Sequence, residues 1–148
     1  MNFIKKCIQL NKKIIIRRKY FILFGIITSG FGSGKYYLNK KYYKINITKI
    51  LKKNPYPGTL NVNYNHNNCY LKNILLCYNN YIKGTYYDNT YLGGIKLFKC
   101  SIHGTLSFII IPDITHHDNN VLEIITIMSL RKKYNLKDGE SIKIKIYY

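Results

Sequence analysis

The sequence predicts a mainly β protein that folds as a small closed or nearly closed barrel. Six segments have strand-like patterns at short spacing, only two have helical patterns, and turns containing glycine or proline separate them. The chain has 148 residues, of which 47% are hydrophobic. This length is enough for one domain with a real core and too short for two ordinary domains.

The strands are predicted from aromatic and β-branched residues, most of which alternate with polar ones. Residues 19–28 are rich in such side chains, and residues 59–64 alternate with a period of two. Gly104 separates two further alternating segments, 94–103 and 105–111, which predicts a hairpin. The six predicted strands are 19–28, 59–64, 94–103, 105–111, 121–127 and 141–147.

Helical patterns are fewer and shorter. Residues 41–53 place Tyr43, Ile47 and Ile50 near one face of a helix, and residues 128–134 predict a short helix before a turn. The polar stretch between the second and third predicted strands is rich in Asn and Tyr and has no clear pattern. The prediction is therefore a barrel with one or two short helices.

The formal net charge of +18 suggests an anionic partner such as a nucleic acid, a nucleotide or an acidic membrane surface. Only Arg17, Arg18 and Arg131 of the 24 basic residues are arginines. Abundant Lys, Asn, Ile and Tyr are what an A+T-rich coding sequence would produce, so part of the charge reflects codon usage. Because arginine is preferred for bidentate phosphate and base contacts, its scarcity weakens a nucleic-acid interpretation.

The composition also predicts domain boundaries and a compartment. Residues 1–19 carry seven Lys or Arg and no acid, so we expect a basic extension outside the core and a single domain at 20–148. No segment reaches the roughly 20 apolar residues of a membrane helix, and the four cysteines lack CxxC spacing. We therefore expect reduced thiols and a cytoplasmic protein.

A glycine-rich segment, SGFGSGK at residues 29–35, directly follows the first predicted strand. Glycine allows another backbone or a phosphate to come close. Successive N–H groups in such a loop can bind an anion, and Lys35 would add a positive charge. The segment is neither a Walker A loop nor a dinucleotide-binding turn with a following helix. It is compatible with a phosphate-binding loop and with a plain hairpin turn.

The stretch NPYPGTLN at residues 54–61 forms a rigid turn before the second predicted strand. Its two prolines restrict the backbone φ angle, and Gly58 permits a sharp turn. Thr59 and Asn61 follow at positions i and i+2, so their side chains lie on the same face of the strand. A hydroxyl and an amide oxygen suit Mg²⁺ when substrate phosphates supply the negative charge. A polar strand edge is the alternative.

Glu123 is one of only six acidic residues and lies within an apolar predicted strand. Alternation places its side chain on the face opposite Leu122 and Ile124. Since burying a carboxylate without a partner is costly, two interpretations are open. The side chain points into a cleft as a general base, or it points outward to solvent.

Residues 113–117, DITHH, combine an aspartate with two adjacent histidines. Adjacent residues of an extended strand point apart, so His116 and His117 have poor spacing for chelating zinc. A loop that supplies a hydrogen bond from Thr115 is the better interpretation.

Taken in order, these motifs resemble one family, the archaeal-type CTP-dependent riboflavin kinases. The resemblance covers residues 24–146 and therefore most of the chain. Several motifs in the same order are more specific than any single glycine loop. The matching motifs are SGFGSGKYY at 29–37, NPYPGTLNV at 54–62, GGIKLFKCSI at 93–102, IPDITHHDNNVLEII at 111–125 and SLRKKYNLKDGESIKI at 129–144.

The resemblance implies a compact six-stranded barrel of the cradle-loop type, which agrees with the strand count above. It implies an enzyme, a phosphotransferase that moves the γ-phosphoryl group of CTP to the 5′-hydroxyl of riboflavin and gives FMN and CDP. The implied cofactor is Mg²⁺. We further expect a monomer that has no nucleic-acid partner and no membrane span.

The resemblance also assigns residues. Thr59 and Asn61 would bind Mg²⁺, and Thr115 and Glu123 would contact the flavin. We hypothesise that Glu123 hydrogen-bonds the 5′-hydroxyl and accepts its proton. The residues that would bind the nucleotide are Gly30, Phe31, Gly32, Ser33, Gly34, Lys35, Met128, Ser129, Leu130 and Arg131.

Two alternatives remain open. Small barrels of this general type are related to DNA-binding modules, and the charge of +18 suits a polyanion. A nonspecific DNA-binding protein, however, has no use for paired Mg²⁺ ligands or for Glu123 in an apolar strand. The family usually carries an acid where Ser33 stands, so a degenerate flavin-binding protein without activity is the other alternative.

Overall fold

The barrel and its flanking helices are seen in a computed structural model, which describes residues 20–30, 33–64, 78, 80–114 and 120–148. The described residues form nine strands and three short helices. In chain order these are β1 (Tyr20–Thr28), α1 (Ser33–Asn39), α2 (Lys41–Leu51), β2 (Leu60–Asn63), β3 (Asn80–Ile82), β4 (Thr85–Tyr87), β5 (Thr90–Leu92), β6 (Ile95–Ile102), β7 (Thr105–Pro112), β8 (Val121–Ile125), α3 (Leu130–Tyr134) and β9 (Ser141–Tyr147).

Six antiparallel strands close into a barrel in the order β6-β7-β8-β2-β1-β9. Closure depends on a short pairing of β6 with β9, in which Cys100 lies opposite Ile146 and Ser101 opposite Lys145. The first half of β6 pairs instead with β3, and β4 and β5 form a separate hairpin. The six-stranded barrel predicted from the sequence is therefore confirmed.

Two apolar clusters lie on opposite faces of the barrel strands. Ile124 belongs to one cluster and its neighbour Ile125 to the other, as expected for adjacent residues of a strand. The first cluster contains the fully buried Val62. The second contains Tyr43 and Ile47, which α2 contributes and which are also fully buried. Helix packing thus buries the outer face of part of the barrel.

The six predicted strands and both predicted helices are present, with ends that differ by a few residues at most. Helix α1 was not among the predicted helices, and it begins at Ser33, inside the glycine-rich segment. A seven-residue helix containing a glycine has little stability of its own. Packing stabilises it, since Leu38 is buried in the second cluster.

Three further predictions concern the polar stretch, the basic extension and the absence of a membrane helix. The stretch without a clear pattern, residues 65–91, contains β3 and β4, and β5 begins at its end. The basic extension 1–19 lies outside the described residues, so the division at residue 20 stays a prediction. Among the helices described, none has the length and apolar character needed to cross a membrane.

Candidate active site

One row of side chains crosses four neighbouring strands at the same level. The register places Thr28 of β1 opposite Asn61 of β2, Asn61 opposite Glu123 of β8, and Glu123 opposite Ile110 of β7. Directly opposite residues share one face of a sheet. Ile110 belongs to the cluster that the helices cover, so Asn61 and Glu123 lie on that covered face.

The proline-containing turn positions Thr59 beside Asn61. The backbone N–H of Tyr56 donates to the carbonyl of Thr126 at 2.8 Å, and that of Gly58 donates to the carbonyl of Tyr56 at 2.8 Å. The hydroxyl of Thr59 then donates to Oδ1 of Asn61 at 3.3 Å. The two predicted Mg²⁺ ligands therefore lie side by side, as their spacing predicts.

The glycine-rich segment packs directly on these two residues. A Cβ atom built on Gly30 would lie 1.5 Å from Nδ2 of Asn61, and one built on Gly34 would lie 2.1 Å from Cγ2 of Thr59. Real Cβ atoms essentially never come within 3.0 Å of another group in this way. Glycine at both positions therefore allows the backbone to come close to Asn61 and Thr59. The segment leads into helix α1 and does not form a plain hairpin turn.

Glu123 is buried, with only 4% of its surface exposed. Its Oε1 accepts a hydrogen bond from the backbone N–H of Gly34 at 3.1 Å. The interpretation in which this side chain points to solvent is therefore wrong. Burial, and then the negative charge of Glu123, raise the pKa of Tyr37 on α1.

The oxygen atoms at this place fit a hard divalent cation. Oγ1 of Thr59 and Oδ1 of Asn61 are 3.3 Å apart. Adjacent ligands of an octahedral Mg²⁺ lie about 3 Å apart, given the usual Mg–O distance of about 2.1 Å. Among the described residues no three His, Cys, Asp or Glu side chains could hold a metal together. His116 and His117 lie outside the described part of the chain.

A second part of the site is the segment around the start of α3. Ser129 caps this helix by accepting a hydrogen bond from the N–H of Lys132 at 3.3 Å, and Leu130 is buried. The guanidinium of Arg131 donates to the carbonyl of Thr28 at 2.9 Å. The start of α3 is therefore attached to the end of β1, directly before the glycine-rich segment.

Asp138 joins this arrangement and was not among the predicted site residues. One carboxylate oxygen lies 2.7 Å from Nη2 of Arg131, and the other accepts a hydrogen bond from the hydroxyl of Ser29. The hydrogen bond from Ser29, together with Arg131, lowers the pKa of Asp138. Its position in an Asp-Gly turn and the scarcity of acids were the available signals.

The structure brings five of the fourteen predicted site residues into direct contact with one another. Gly30, Gly34, Thr59, Asn61 and Glu123 meet at one place through the contacts given above. Ser129, Leu130 and Arg131 lie at the start of α3, which Arg131 attaches to the end of β1. Lys35 is exposed on α1, Met128 is half-buried, and Ser33 begins α1. Phe31, Gly32 and Thr115 lie outside the described residues.

Comparisons with known proteins identify the family to which the chain belongs. The family model of CTP-dependent riboflavin kinases, described as domain of unknown function DUF120, matches residues 27–146. The riboflavin kinase of Saccharolobus solfataricus is 35% identical over 98% of this chain and 85% of its own length. That of Pyrobaculum aerophilum is 35% identical over 84% of this chain. The riboflavin kinase of Thermoplasma volcanium is 33% identical over 90% of this chain. The chain spans only 60% and 61% of the last two proteins.

Proposed function

Because this chain belongs to the family of CTP-dependent riboflavin kinases, we propose that it transfers the γ-phosphoryl group of CTP to the 5′-hydroxyl of riboflavin. The products are FMN and CDP, and the reaction depends on Mg²⁺. Membership of a kinase family agrees with the enzyme predicted from the motifs. The nucleotide, the metal and the residue roles below belong to the proposal.

One observation carries the proposal. The glycine-rich segment, the paired oxygens of Thr59 and Asn61, and the buried carboxylate of Glu123 meet at one place on the barrel. Phosphoryl transfer depends mainly on positioning the reactants and on stabilising charge on the phosphate oxygens. A site of this composition supplies both: close approach for phosphates and oxygen ligands for a cation.

The nucleotide is held by two segments. Residues 30–35 bind the phosphates, and Lys35 provides a positive charge to them. Residues 128–131 complete the site next to the base. The contact of Arg131 with the carbonyl of Thr28 keeps these two segments adjacent.

Thr59 and Asn61 hold Mg²⁺ through Oγ1 and Oδ1. When bound, the ion neutralises negative charge on the phosphate oxygens of the nucleotide. The close packing of Gly30 and Gly34 on these two side chains restricts their orientation, so the oxygens stay directed at the phosphates. Positioning of this kind lowers the entropic cost of reaching the transition state.

Glu123 orients the riboflavin 5′-hydroxyl and accepts its proton, while Thr115 contacts the flavin. A general base must lie within hydrogen-bond reach of the proton that it accepts. The N–H of Gly34 donates to Glu123, and Gly34 packs on Thr59, so the carboxylate lies near the proposed metal ligands. This proximity supports attack of the hydroxyl on the γ-phosphorus.

The test is FMN formation from riboflavin, with CTP and ATP assayed side by side and flavins separated chromatographically. We expect FMN with CTP, less or none with ATP, and none after EDTA removes the metal. Soluble, folded protein that forms no FMN with either nucleotide would contradict the proposal. Metal-independent FMN formation would contradict the roles of Thr59 and Asn61.

A further inference from the structure

A single carboxylate connects the two segments that the proposed function assigns to the nucleotide. Oδ2 of Asp138 accepts a hydrogen bond from Ser29, the residue directly before Gly30. Oδ1 lies 2.7 Å from Nη2 of Arg131, and the same Nη2 donates to the carbonyl of Thr28 at 2.9 Å. One side chain thus contacts the beginning of the glycine-rich segment and the beginning of α3.

The backbone around Asp138 is fixed to β1. The N–H of Gly139 donates to the carbonyl of Ile27 at 2.9 Å, and the N–H of Ile27 donates to the carbonyl of Glu140 at 2.9 Å. Gly139 has a φ of +88°, which favours glycine and sharpens the turn. The carboxylate therefore projects from a turn whose place beside β1 is determined by two backbone hydrogen bonds.

We propose that Asp138 is a positioning residue for nucleotide binding. It holds Ser29 and Arg131 so that the glycine-rich segment and residues 128–131 face the nucleotide together. It does not contact the substrate itself. This role rests on the proposed function, because it presupposes that both segments bind the nucleotide.

The position of Asp138 predicts an effect on binding rather than on folding. About half of the side chain is exposed, and ion pairs at exposed positions contribute little to stability. Without the carboxylate, the beginning of the glycine-rich segment loses its link to α3 and spends less time in the binding-competent arrangement. The apparent affinity for the nucleotide falls in proportion to the fraction of molecules in the binding-competent arrangement. The proposed flavin contacts, Thr115 and Glu123, belong neither to the segment that begins at Ser29 nor to the start of α3, so riboflavin affinity should change less than CDP affinity.

The test compares Asp138→Asn and Ser29→Ala with wild-type protein by calorimetric titration of CDP in the presence of Mg²⁺. We expect CDP to bind about fivefold more weakly to each variant, as a reduced competent fraction requires. The double variant should bind CDP no more weakly than Asp138→Asn alone, because both changes break the same link. Riboflavin affinity, read from flavin fluorescence, should stay within about twofold of the wild-type value.

Glu140→Gln is the matched control. It neutralises an acid in the same turn, whose carboxylate accepts a hydrogen bond from the N–H of Lys137 and lies outside the Asp138 network. We expect CDP affinity to be unchanged in this variant. Thermal unfolding of all variants shows whether each remains folded.

Three results would overturn the inference. The first is wild-type CDP affinity in both Asp138→Asn and Ser29→Ala. The second is an equal loss of CDP and riboflavin affinity with a lowered melting temperature, which indicates a structural role alone. The third is a wild-type protein that binds no CDP. Because the readout is binding, CDP affinity that depends on Asp138 in a protein that makes no FMN would contradict only the proposed function.

Discussion

At the scale of single residues, Glu123 is the feature that most needs a functional explanation. It lies in a strand whose neighbours Leu122 and Ile124 are buried in the core, and it is buried itself. Placing a carboxylate in such surroundings is costly, whereas another apolar side chain would pack there without that cost. A role in accepting the proton of a bound hydroxyl explains why an acid occupies this position.

Glu123→Gln tests this role directly. Glutamine has nearly the same shape, and its carbonyl oxygen can still accept the hydrogen bond from Gly34, so the fold should be retained. Because the amide cannot accept a proton, the turnover number for FMN formation should fall by about a hundredfold or more. Steady-state kinetics with riboflavin and CTP measure this turnover number. Full turnover with unchanged flavin affinity would show that Glu123 is not the base.

At the scale of elements, the approach of α1 to β2 determines the geometry of the site. Gly34 lies in the first turn of α1, and a Cβ atom there would overlap with Cγ2 of Thr59 at 2.1 Å and with Oγ1 at 2.6 Å. The helix can therefore contact the proposed metal ligands only through a residue without a side chain.

Gly34→Ala measures the importance of this contact. Relative to glycine, alanine stabilises a helix by up to about 1 kcal/mol. Overpacking costs about 1–3 kcal/mol, so the net effect of the substitution is destabilising. We expect CDP with Mg²⁺ to bind about tenfold more weakly, because Thr59 must move away from Asn61. Calorimetric titration measures this loss.

Gly93→Ala is the matched control for that change. Its added Cβ would make only an ordinary contact, 3.5 Å from Cδ1 of Ile114. The control should bind CDP as the wild type does. Equal affinity in Gly34→Ala and wild type would show that the close packing has no part in nucleotide binding.

How much the sequence predicts depends on the range of the interactions involved. The six barrel strands were predictable because alternation along a strand is a local pattern, and the same alternation placed Thr59 and Asn61 on one face. Helix α1 was not, since its stability comes from distant packing of Leu38. The role of Asp138 was also hidden, because Ser29 lies 109 residues away in the sequence.

At the scale of the whole molecule, the pairing of β6 with β9 closes the barrel in which β1, β2, β8 and β7 hold the row of site residues in register. The closing pairing places Cys100 of β6 opposite Ile146 of β9. Cys100 has 0% of its surface exposed, and burial raises the pKa of its thiol. Both effects make this thiol unreactive while the barrel stays closed.

Alkylation with iodoacetamide therefore reports on closure. In the native protein we expect Cys100 to react at least about a hundredfold more slowly than in urea, because labelling requires opening of the core. Peptide mass mapping distinguishes Cys100 from the other three cysteines of the chain. Native labelling at the rate seen in urea would contradict a closed barrel.

We propose that the glycine-rich segment, Thr59, Asn61 and Glu123 together form the active site of a CTP-dependent riboflavin kinase. The most direct measurement is the conversion of riboflavin to FMN by the wild-type protein with CTP and Mg²⁺. We expect equal amounts of FMN and CDP and a complete loss of both after EDTA. Folded protein that binds riboflavin and CDP but produces no FMN would contradict it.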